Sequence, residues 1–60
     1  MSRNHQILDM LAEGKTDQQI GDAIGLKPGS VNKILADMRK PLGLDSRYEL
    51  AMWWKKRRAA

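Results

Sequence analysis

Two glycines four residues apart, Gly21 and Gly25, constrain the fold of this chain more than any other feature. Counting Asp17 as position one, apolar residues fall at positions four, eight, ten, fifteen and eighteen: Ile20, Ile24, Leu26, Val31 and Ile34. Gly21 takes position five, where two helices cross closely and a side chain would push them apart. Gly25 takes position nine, where a tight turn wants positive φ. The joint spacing is that of a helix-turn-helix, two helices joined by a short turn. An αα-corner used only for packing obeys similar rules, so this spacing alone leaves the function open.

The flanking sequence also has helical periodicity, and no run alternates like a strand. Ser2 caps a first helix carrying Ile7, Leu8, Met10 and Leu11, which Gly14 ends. Thr16-Asp17-Gln18-Gln19 is a capping box for the second helix. Pro28 suits the first turn of the third, whose inward stripe is Val31, Leu35 and Met38 with Ile34 beside it. Lys27 is a poor N-cap, so Ser30 is an alternative cap for this helix. Pro41 ends or kinks it. Ser46-Arg47-Tyr48-Glu49 reads as a second capping box, opening a last helix that runs through Trp54 into basic residues. The expectation is one all-α domain over 1–60, with four helices at about 3–13, 17–24, 28–40 and 46–57.

Composition narrows the class. A chain of 60 residues buries only about 60% of its unfolded surface, and with no cysteine and one histidine it has neither disulfide nor zinc cage as a staple. No apolar run approaches the roughly 20 residues of a membrane span, and polar Ser2 to Gln6 exclude a secretory leader. These bounds favour a soluble domain of the reducing cytoplasm, with no cofactor. Nothing spaces Ser, His and Asp as nucleophile, base and orienter, so an enzyme is not expected.

The net charge of +4 has a location. Residues 1–54 are balanced, and the excess lies in Lys55, Lys56, Arg57 and Arg58. Within the balanced part, Lys27 to Lys40 is mostly basic while Glu13 to Gly25 is mostly acidic, which marks one local electropositive face. The terminal basic run reads as a solvated, disordered tail or as a further contact to phosphate or an acidic partner.

Beyond these physical signals, the chain resembles a known family. Ile7-Leu8-Asp9-Met10-Leu11-Ala12-Glu13-Gly14-Lys15-Thr16 is similar to the start of the LuxR-type (GerE, NarL-like) DNA-binding domain. Gln19 to Leu26, Ser30-Val31-Asn32-Lys33, Leu42-Gly43-Leu44, Ser46 to Ala51 and Trp53 continue the likeness, over about residues 3 to 54. The resemblance implies a four-helix LuxR/GerE-type helix-turn-helix domain whose third helix enters the DNA major groove. It also implies that the fourth helix pairs two copies across a two-fold axis. Three positions depart from the pattern: Asn4 where an acid is usual, Ile34 where a histidine is usual, and Pro41 where a basic residue is usual. Met1 stands about where this domain begins, so the expectation is a chain without the sensing or receiver domain that most members carry.

On that reading Asn32 and Lys33 align with the base-reading positions. Asparagine can pair with adenine N7 and N6, and lysine can reach guanine O6 or N7. Ala36, one turn on, suits a thymine methyl or simple clearance. Thr16, Gln18, Lys27 and Ser30 lie at or near helix N-termini, natural phosphate sites, and Lys40 adds a basic residue at the far end of the third helix. Each also has a plain alternative: capping for Thr16 and Ser30, a solvated polar face for the rest. Asp37 would repel phosphate unless paired with Lys33 or Lys40.

On the last helix, Leu50, Ala51 and Trp54 form one stripe, and Tyr48 and Met52 another with Trp53 between. One helix on a small core cannot hide both, so Tyr48, Ala51, Met52 and Trp53 are the candidate dimer contacts. The partners expected are double-stranded DNA and a second copy of the chain. A competing role is an interaction module that pairs with a larger LuxR-type regulator and inhibits it. A weaker one is an adaptor in a phage or mobile-element nucleoprotein complex.

Overall fold

The computed structural model describes residues 2–59, and within them the chain is four helices without a strand. They are α1 (Arg3–Ala12), α2 (Asp17–Ile24), α3 (Pro28–Arg39) and α4 (Arg47–Ala59), with a 3-10 turn at Lys40–Leu42 after α3.

Local chemistry sets the ends of each helix. The Ser2 hydroxyl accepts from the His5 amide at 3.3 Å to start α1. Its end is a Schellman closure: the Gly14 amide donates to Leu11, and the Lys15 amide to Met10, both at 3.0 Å. At α2 the capping box forms in full. The Gln19 amide donates to Thr16 Oγ1 at 3.1 Å, and the Thr16 amide to Gln19 Oε1 at 2.9 Å. Gly25, left-handed at φ 78°, closes α2 and lets the Leu26 amide donate back to the Gly21 carbonyl at 2.9 Å.

At the helix ends one open choice is decided and two expectations change. Lys27, not Ser30, is the N-cap of α3, and it caps without a side-chain hydrogen bond. Pro28 supplies the preset φ that the cap lacks, which leaves Ser30 inside the first turn. The second capping box is only half formed. Ser46 accepts from the Glu49 amide at 3.3 Å, but Glu49 reaches past Ser46 to the Asp45 amide at 3.0 Å. The last helix reaches Ala59 rather than about 57, so the whole basic run is helical and not a disordered tail, with Arg57 over Trp53 and Arg58 paired to Asp9.

The core is made by all four helices: Ile7, Leu8 and Leu11 from α1, Ile20 from α2, Val31 and Leu35 from α3, and Leu50 from α4. Each of these side chains gains about 1.5–3 kcal/mol from burial, and that gain is opposed by the ordering entropy of the chain. Gly21 is also buried, for a reason different from the helix crossing expected of it. A Cβ there would lie 2.3 Å from the Leu26 carbonyl oxygen, so it is the turn backbone that requires glycine.

α4 sorts its two stripes. Leu50 is fully buried, and Ala51, Trp53 and Trp54 are half-buried against the core. Tyr48 and Met52 stay outside, 77% and 58% exposed. A network of side chains ties the later turns of α4 to α1. Trp54 Nε1 and Arg58 both donate to Asp9 Oδ1 at 2.7 Å, and the His5 ring stacks on Trp54 at 5.3 Å. His5 is therefore engaged, although it remains exposed.

Candidate nucleic-acid interface

α2 and α3, joined by the three-residue turn Gly25-Leu26-Lys27, display one side of α3 to solvent. With Val31 and Leu35 buried, helical periodicity leaves Gly29, Ser30, Asn32, Lys33, Asp37 and Lys40 exposed. Ala36, which helical periodicity places between Asn32 and Lys33 on this face, is half-buried. Ile34, where a polar contact would otherwise sit, is half-buried against the core.

A guanidinium joins this face to the start of α2. Arg47, the first residue of α4, holds Asp17 with both terminal nitrogens, Nη1 to Oδ1 at 2.7 Å and Nη2 to Oδ2 at 3.0 Å. Nη2 also donates to Asn32 Oδ1 at 3.2 Å. Asp17 opens α2 and Asn32 lies one turn into α3, so one side chain of α4 brings the two helix starts together. The arrangement matters electrostatically, because the Asp17 carboxylate would otherwise face any anion approaching α2. The hydrogen bond to Asp17 raises the Arg47 pKa further above its ordinary value, against a smaller opposing effect of burial. The Arg47 guanidinium therefore stays charged through the whole neutral range.

Around this centre stand the other residues expected at the interface. The amides of Asp17 and Gln18 make no hydrogen bond within the described residues, nor does the Ser30 hydroxyl. Thr16 Oγ1 accepts its capping bond and keeps its own hydrogen to donate. Lys27 and Lys33 make no ion pair within the described residues. Lys40, the C-cap of α3 where the expected helix 28–40 gives way to the 3-10 turn, is eight residues from Asn32, about 12 Å at the helical rise. It lies 3.9 Å from Asp37, an exposed pair of little energetic weight. Thr16, Gln18, Ser30, Asn32 and Lys33 thus gather near the two helix starts, while Lys40 stands apart.

The four candidate dimer residues divide between two grooves. Tyr48, Ala51 and Met52 share a groove of about 730 Å³ with Leu11, Lys15 and Lys55, and Thr16, Asp17, Gln18 and Arg47 line the same groove. Trp53 lies in a separate groove with His5, Pro41 and Leu42, its ring 5.2 Å beneath the Arg57 guanidinium. Arg47 and Asp17 were legible in the sequence only as interior members of capping boxes. Their opposite charges, 30 residues apart, carry no local periodicity that would pair them.

A buried Ile20–Val31–Leu35 seam, a glycine-bound turn and an exposed α3 face define a helix-turn-helix domain. Residues 2–54 match the family described as bacterial regulatory proteins, luxR family. The chain belongs to that family, whose helix-turn-helix domains are DNA-binding regulators of transcription. No curated protein and no solved structure gives a match. No described helix is long and apolar enough to cross a membrane.

Proposed function

We propose that the chain binds duplex DNA sequence-specifically as a homodimer, with α3 in the major groove. The observation that carries this reading is the Arg47 bridge, which neutralises Asp17 and holds the start of α2 beside Asn32. Asn32 and Lys33 then read base edges, with Ala36 beside them against a thymine methyl. Thr16, Gln18, Lys27, Ser30 and Lys40 contact phosphate. Tyr48, Ala51 and Met52 form the self-association face, and Trp53 adds a contact from its separate groove. The exposure of Tyr48 and Met52 supports a covered face here. A two-fold dimer calls for a palindromic site with half-sites about one helical turn apart.

Selection of bound duplexes from a random pool, with sedimentation of the protein alone, tests both parts. A palindromic consensus and a dimer are expected. Replacing Met52 with glutamate should give a monomer, with affinity for the palindrome falling at least tenfold (about 1.4 kcal/mol). A single unrepeated half-site and a monomeric wild type would contradict the homodimer.

The second reading, pairing with a larger LuxR-type regulator and inhibiting it, is favoured by the same exposed Tyr48 and Met52 on a chain whose residues 1–54 carry no net charge. It predicts that the protein alone fails to shift any duplex.

A further inference from the structure

We propose that Arg47 is a positioning residue for base readout: it sets the orientation of the Asn32 amide without itself reaching a base. This inference rests on the reading that α3 reads DNA. A guanidinium has only donors, so the amide that meets it must turn its oxygen toward it. Asn32 Oδ1 lies 3.2 Å from Arg47 Nη2, and Asn32 Nδ2 makes no hydrogen bond within the described residues.

The hydrogens of Nη2 also account for themselves. One goes to Asp17 Oδ2 and the other to Asn32 Oδ1, while Nη1 holds Asp17 Oδ1. The two bonds to Asp17 fix the plane of the guanidinium. The fixed plane in turn fixes where the remaining Nη2 hydrogen points, and Asn32 follows.

The consequence is specificity. A free asparagine amide can rotate by half a turn and exchange its donor and acceptor ends, so it accepts either polarity of base edge. With the oxygen held by Arg47, Nδ2 is the end left to donate to a base acceptor such as a purine N7. The second lone pair of Oδ1 remains for a donor beside it. Arg47 thereby also makes a residue of α4 part of the reading head of α3. Lysine cannot replace it, since a single ammonium lacks the rigid fork that reaches two acceptors in one plane.

The test uses Arg47→Lys, which keeps the charge opposite Asp17. The full chain is assayed against a panel of duplexes carrying each single base change in the selected site. Relative to wild type, Arg47→Lys should lose about tenfold discrimination at the base pair where Asn32→Ala loses it. Preferences elsewhere and the salt dependence should stay unchanged, and combining Arg47→Lys with Asn32→Ala should lose nothing further there. Without DNA, the Asn32 side-chain amide should show an ordered heteronuclear NOE in the wild type and a mobile one in Arg47→Lys. If Arg47→Lys loses its helical signal, the neutral pair Asp17→Asn with Arg47→Met carries the same test. Retained discrimination, or a loss spread evenly over all positions, overturns the inference and leaves base reading by α3 standing. A wild-type protein that binds DNA with no preferred sequence overturns both.

Discussion

Gly21→Ala is expected to lower the stability of the domain by about 3 kcal/mol, the upper part of the range for overpacking. The added methyl would lie 2.3 Å from the Leu26 carbonyl oxygen and 3.2 Å from its carbon. Both are backbone atoms, so no rotamer change relieves the clash. The turn cannot drift away either, because left-handed Gly25 and the hydrogen bond from Leu26 to Gly21 hold it. A core of this size supplies roughly 3–5 kcal/mol in all. The variant should therefore melt roughly 15–20 °C lower and be substantially unfolded at 37 °C. Gly29→Ala is the control, since a methyl there meets nothing within 4 Å and sits in the first turn of α3. It should be neutral or gain about 0.5 kcal/mol. Thermal unfolding followed by circular dichroism reads both. A Gly21→Ala midpoint within a few degrees of wild type would contradict the close approach at the turn.

The second large effect concerns specificity. Asn32→Ala combined with Lys33→Ala should remove most of the preference for the selected site over a mixed-sequence duplex. Each good bidentate base contact contributes about 1–3 kcal/mol of discrimination, so the pair together should lose roughly a hundredfold. Both side chains are exposed and outside the core, so the melting midpoint should stay nearly constant. Competition binding with the two duplexes at fixed salt measures the loss. Preserved discrimination would place base readout elsewhere than on this turn of α3.

How much of this was legible in the sequence depended on the range of the interaction. The Thr16–Gln19 capping box, the Gly14 and Gly25 stops and the Val31–Leu35 stripe are written within four residues, and they appear where the spacing puts them. Gly21 was legible as a required glycine, but the atom that requires it belongs to the turn. The α3 cap stood open between Lys27 and Ser30 in the sequence, and the fixed φ of Pro28 decides it by supporting a start at Lys27 without a capping side chain. The interface was legible as single residues and not as an assembly. Asn32 and Lys33 were marked by type and position, whereas the Asp17–Arg47–Asn32 bridge joins three helices through contacts 15 and 30 residues apart. Trp53 and Trp54 looked alike on the helix pattern. Only the packing shows that Trp54 is taken up by Asp9 and His5 while Trp53 lies under Arg57.

The most direct measurement is fluorescence anisotropy of a labelled duplex titrated with the full chain across a series of salt concentrations. The expected result is binding whose log affinity falls with log salt at a slope of at least about −1.8 per protomer, 0.9 for each of Lys27 and Lys40. Lys27→Ala should make that slope shallower by about 0.9 while weakening all sequences alike. No anisotropy change at low salt, even at about 100 μM protein where non-specific binding normally saturates, would contradict a DNA-facing α3. It would shift the functional surface to Tyr48 and Met52.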